Sequence, residues 1–174
     1  QGQSDSSPMP ASPPLKPPAP YAVSKIIGEE LLRRSQIQTC ALRFFNVYGP
    51  GQSVNGGYAA VIPAFKNAVA TSNQCTIFGD GTQVRDFIHV SDLVRIIGLA
   101  IDSDDLPSEL NIASGEGTTL LQLIEILSNS NPEMQAPIFE QERTGDIHTS
   151  VADISLLKSS LDIVELITIR EGLE

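Results

Sequence analysis

The chain has 174 residues, 41% of them hydrophobic, which is enough for one domain with a sizeable core. Its formal net charge of −10 argues against a nucleic-acid-binding surface. No apolar run approaches the roughly 20 residues of a membrane-spanning helix, and no charged-then-apolar secretory leader is visible, so a cytoplasmic location is expected. Cys40 and Cys75 have neither metal-ligand nor disulfide-framework spacing, and each sits in an apolar stretch that suits a buried, inert thiol. His89 and His148 stand far apart without flanking ligands, so metal chemistry is not expected.

Residues 1–20 hold seven of the twelve prolines, with Ser and Gly among them, which favours extended chain without a core of its own. Residues 21–174 carry the periodic segments. From Tyr21 to about Ser35 the spacing predicts a helix, with Val23, Ile27 and Leu31 on one stripe and Tyr21, Lys25, Gly28 and Leu32 on another. Glu29–Arg33 and Glu30–Arg34 are at the separation that supports a helix. Residues 39–45 read as a buried strand, ended by the loop N-V-Y-G-P-G-Q (46–52) with its Gly49-Pro50-Gly51 punctuation. A helix is predicted over 58–71, with Pro63 near its first turn, then a short strand at 75–78 running into Gly79-Asp80-Gly81. Strand 86–90 precedes a helix that starts at 91–93, with Ser91 as its cap and Asp92 at the positive end of its dipole. A strand at 110–112, a helix from Thr118 or Thr119 to about Leu127, and a short helix near 153–161 complete the chain. Strands alternating with helices mean an α/β protein. None of the glycine clusters, including Gly56-Gly57 and Gly115-x-Gly117, makes the G-x-G-x-x-G of a dinucleotide-binding turn.

The order of motifs resembles the extended short-chain dehydrogenase/reductases, in particular the NAD-dependent nucleotide-sugar epimerase/dehydratase group. The blocks are P-Y-A-V-S-K (20–25), L-R-F-F-N-V-Y-G-P-G-Q (42–52), V-I-P-A-F (61–65), I-F-G-D-G-T-Q-V-R-D-F-I-H-V-S-D-L (77–93), L-N-I-A-S-G (110–115) and R-T-G-D-I (143–147) with A-D-I-S (152–155). The resemblance implies the C-terminal half of such an enzyme: the last Rossmann strands and helices plus the smaller substrate-binding domain. The glycine-rich half that holds NAD, and the catalytic Ser or Thr, are expected to precede Gln1. Two departures stand out: Leu161-Asp162-Ile163-Val164 replaces a Trp-Pro-type element, and Ala60 stands where some epimerases present a polar contact.

The resemblance assigns roles residue by residue. Tyr21 is the implied general base for a sugar hydroxyl, and Lys25, one turn on, its cationic partner and a holder of the nicotinamide ribose. A free tyrosine titrates near about 10, so base chemistry at neutral pH needs neighbouring positive charge to favour the phenolate. Phe45 matches a position whose backbone meets the nicotinamide. Asn46, Val61, Phe78, Arg85, Arg143 and Asp146 match nucleotide-sugar contacts. The two arginines suit phosphate oxygens through their planar forks. Taken without the resemblance, Tyr21 and Lys25 are a surface pair, Asn46 opens a turn and Phe78 is core. Arg85 would then pair with Asp86 or Asp92, and Arg143 with Asp146 or Glu142. His89 and Asp92 read as structural, at a strand end and a helix cap.

The implied function is oxidation of a UDP- or dTDP-sugar at C4, with NAD accepting the hydride, leading to epimerisation or dehydration. The implied partners are a nucleotide-diphosphate sugar and a second copy of the chain, paired through helices that include the Tyr/Lys one. The alternative is a truncated, inactive nucleotide-sugar-binding module, or a relic without a ligand.

Overall fold

The computed structural model describes residues 8–9, 20–53, 60–71 and 73–174. Most of the proline-rich segment, the Gly56-Gly57 pair and the first residues of the predicted 58–71 helix lie outside these residues. Helix α1 (Pro20–Arg33) opens on a proline, whose missing N–H costs nothing at a helix start. It buries only Ala22, and the stripe of Val23, Ile27 and Leu31 is exposed by 40, 55 and 67%. One contact that docks α1 is ionic. Glu29 accepts from Arg43 Nε and Nη2 at 2.8 and 2.6 Å, a two-point fork from the strand that follows. The expected Glu29–Arg33 pair therefore gives way, and Glu30 takes both Arg33 and Arg34, at 2.7 and 2.6 Å.

The strand predicted over 39–45 is present over 41–44, only half-buried and with Phe44 exposed, and the stretch after it, expected to be loop, holds a second strand. Strand β1 (Ala41–Phe44) ends before Phe45, and β2 (Asn46–Tyr48) follows, because the chain changes sheets there. Helix α2 (Val61–Ala70), β3 (Thr76–Phe78), β4 (Val84–His89), α3 (Val90–Ile101), β5 (Glu109–Ile112), β6 (Gly117–Thr119), α4 (Leu120–Ser130), β7 (Ile138–Glu140), β8 (Thr149–Ser150) and α5 (Ser155–Leu161) complete the order. Strand β1 runs parallel to β5, with Ala41 opposite Glu109 and Phe44 opposite Ile112. Strand β2 runs parallel to β4, with Asn46 opposite Phe87. Beside β4 lie antiparallel β6 and parallel β8, and β3 pairs in parallel with β7.

Two apolar clusters follow from this division. One packs Ile62 and Phe65 of α2 and Leu123 and Leu127 of α4 around Ile77 and Phe87. The other packs Ile96 of α3 and Leu157 of α5 against Ile88, Leu110 and Ile112. Cys75 is buried in the first, whereas Cys40 is only half-buried at the rim of the second.

The caps differ in part from the sequence reading. His89, not Ser91, caps α3: its Nδ1 accepts from the Ser91 N–H at 3.3 Å. Asp92 is buried and accepts from Arg95 Nη2 at 2.8 Å and from the Ile167 N–H at 2.7 Å, which ties the C-terminal segment to α3. Thr119 caps α4 in a reciprocal box with Gln122. Asp153 accepts from the Ser155 N–H just ahead of α5, which starts at Ser155 rather than at Asp153. Met9 is buried, donating its N–H to Val151 O while its carbonyl accepts from Asp153 N–H, each at 2.7 Å.

Candidate functional site

A cleft of about 450 Å3 opens beside the first cluster. Its walls include Asn46 from β2, Val61 from α2, Phe78 from β3, Arg85 from β4, and Arg143 and Asp146 from the loop after β7. Six residues singled out from four separate stretches of sequence thus share one cavity. Asn46 is fixed by its Nδ2, which donates to the Asp86 carbonyl at 2.9 Å.

Arg85 is held on several sides. Its Nη2 donates to Asp146 Oδ1 at 2.6 Å, and its Nη1 to the carbonyls of Val84 and His148 at 2.9 and 3.3 Å. The alternative partners Asp86 and Asp92 are not used, because Asp86 is committed to the interior. Asp86 accepts from Ser114 Oγ and the N–H groups of Ser114, Gly115 and Ala152. Burial pushes its carboxyl above the ordinary range, against the pull of those four donors. Arg143 forms no ion pair with Asp146 or Glu142. Its guanidinium instead lies 3.8 Å from the centre of the Phe78 ring. Two guanidinium groups and one carboxylate leave the cleft with positive charge to offer.

The turn after β3 is ordered by side chains as well as by glycine. Gln83 Nε2 donates to the Phe78 carbonyl at 2.6 Å, and Asp80 accepts from both the N–H and the hydroxyl of Thr82. Those bonds, the hydroxyl's first, hold the Asp80 carboxyl below its usual range. Gly81 has φ +80°, and a Cβ there would meet the Leu121 side chain at 2.9 Å, so glycine is required. Gln83, Thr76, Ala64 and Ala68 also line the cleft. The sequence reading passed over them, although the alanines, one turn apart on α2, marked a face with room beside it.

Tyr21, Lys25 and Phe45 do not line this cleft. Tyr21 is 68% exposed, and Lys25 Nζ lies 5.2 Å from the centre of its ring. Phe45 donates its N–H to the Ile112 carbonyl at 3.1 Å and packs against the second cluster. The phenol and the ammonium are adjacent on one exposed helix face. No glycine-rich turn for its pyrophosphate occurs among the described residues. No helix among them is long and apolar enough to cross a membrane.

Parallel strand pairs and helices alternating along the chain define an α/β protein of Rossmann-like type. The sequence model of the NAD dependent epimerase/dehydratase family matches residues 2–113, and the chain belongs to that family. It superposes with a TM-score of 0.89 on UDP-glucose 4-epimerase from Thermotoga maritima, solved with UDP-glucose, at 30% identity over 99% of this chain and 57% of that one. It superposes at 0.88 on UDP-N-acetylglucosamine 4-epimerase from Methanobrevibacter ruminantium, solved with UDP-N-acetylmuramic acid, at 32% identity over 99% and 58%. A dTDP-4-dehydro-6-deoxy-D-allose reductase of Streptomyces is 30% identical over 88% of this chain and 48% of its own length. The chain thus spans about half the length of these relatives.

Proposed function

We propose that this chain carries the nucleotide-sugar site of an NAD-dependent epimerase or dehydratase acting on a UDP- or dTDP-sugar. The observation that carries the reading is convergence: Asn46, Val61, Phe78, Arg85, Arg143 and Asp146 line one cavity although they come from separated stretches. In this reading Phe78 and Val61 hold the nucleotide's flat ring, and the arginines neutralise the diphosphate. Asn46 holds the sugar end, and Asp146 orients Arg85 and contacts the ribose. The solved relatives with UDP-glucose and UDP-N-acetylmuramic acid support that class of ligand.

Tyr21 acts as the base on the sugar hydroxyl in the assembled active site. The Lys25 ammonium favours the phenolate electrostatically and holds the nicotinamide ribose hydroxyls. The backbone at Phe45 borders the same end of the cofactor. NAD, when bound, supplies the acceptor for the hydride. In this chain by itself the exposed Tyr21 stands outside the cleft, so binding without turnover is the expected behaviour.

Isothermal titration with UDP-glucose and, separately, with NAD tests the reading. Saturable UDP-glucose binding with weak or no NAD binding is expected, and R85A should weaken UDP-glucose about tenfold or more. Absence of UDP-sugar and dTDP-sugar binding would refute it. Tight NAD binding would show that the described residues hold more of the cofactor than the nicotinamide–ribose end.

A further inference from the structure

Arg143 and Phe78 face one cleft, with the guanidinium carbon 3.8 Å from the ring centre. That is stacking distance for a planar group, so the arginine covers one face of the ring. Its charge is otherwise uncommitted, since Arg85 holds Asp146 at 2.6 Å. Arg85 cannot exchange roles with it, being tied to Asp146 and to the Val84 and His148 carbonyls.

We propose that Arg143 is a specificity-determining residue that admits nucleoside diphosphates and disfavours nucleosides. At rest it covers the Phe78 platform. A ligand's diphosphate draws it off the ring, so base and diphosphate are captured together. This inference rests on the nucleotide-sugar reading above. A nucleoside has a base to stack but no anion, so it must displace the guanidinium without offering it a partner. A nucleoside diphosphate gives the fork anionic oxygens, exchanging an exposed cation–π contact for charge-assisted hydrogen bonds. The resting stack therefore acts against ligands that lack the diphosphate, which is discrimination by a cost imposed on the wrong ligand.

The sign of one substitution separates this from simple phosphate binding. NMR titration of the wild type, R143A and F78A with uridine and with UDP is the experiment. R143A is expected to bind uridine about two- to fivefold tighter, because the platform is uncovered. It should bind UDP about tenfold or more weaker, because the phosphate ligand is gone. F78A should weaken both. Arg143 is exposed, so an unchanged Tm is expected for R143A. Uridine affinity that is unchanged or weaker in R143A would overturn the gate, while UDP binding by the wild type would leave the nucleotide-sugar reading standing. If the wild type binds neither probe, both fall.

Discussion

Tyr48 shows how burial at one residue becomes a measurable property of the whole chain. Its ring is buried, edge-on to Phe87 and His89, and its hydroxyl donates to the Thr168 carbonyl at 3.2 Å. Burial first, then the Asp92 and Glu171 carboxylates, push its phenol from 10.0 up to about 12. Below the unfolded value both states hold the neutral phenol. As pH rises from there through the folded value the unfolded chain ionises first, so stability falls by about 2–3 kcal/mol. Urea unfolding of wild type and Y48F from pH 9 to 12 should show a fall steeper by that amount in the wild type, and parallel curves would contradict it. At Asp86 the expected outcome is loss of stability at neutral pH. D86N turns one acceptor into a donor facing backbone N–H groups and should cost about 1–3 kcal/mol by denaturant titration. These partnerships were not legible in the sequence. Arg85 and Arg143 could be singled out by matching motifs, but what each one touches depends on chain that returns from residues 142–152.

At the scale of elements, what was legible followed chain length and period. The helices stood out because apolar positions recur every three or four residues over ten or more positions. Strands β6, β7 and β8, of three, three and two residues, are too short to show an alternation and were not foreseen. The break at Phe45 was hidden because the apolar run continues across a change of sheet partner. Helix α1 was foreseen, but not its docking through the Glu29–Arg43 fork, whose side chains are 17% and 14% exposed. Removing one partner of so enclosed a pair leaves the other charge uncompensated. E29A should therefore raise amide hydrogen exchange across residues 20–33 about tenfold or more while leaving α4 unaffected. Equal exchange in both variants would mean that α1 is held by its other contacts.

Over the whole molecule, the cleft and the Tyr21–Lys25 helix face stand apart. Phe65, Cys75 and Leu120 of the first apolar cluster line the cleft, whereas α1 turns Tyr21, Val23, Ile27 and Leu31 outward. We propose that this exposed apolar helix face pairs with a second copy of the chain. Sedimentation at rising concentration should show a dimer, and I27E combined with L31E should shift it to monomer without loss of UDP-glucose binding. A wild type that remains monomeric at high concentration would remove the case for pairing. If one cleft, assembled from distant stretches, receives a nucleotide sugar, the backbone amides around it will report the ligand. Backbone amide NMR during titration with UDP-glucose tests it most directly. Saturable shifts concentrated at Asn46, Val61, Phe78, Arg85, Arg143 and Asp146 are expected, with α5 unmoved. Shifts confined to other surfaces, or none at saturating ligand, would contradict it.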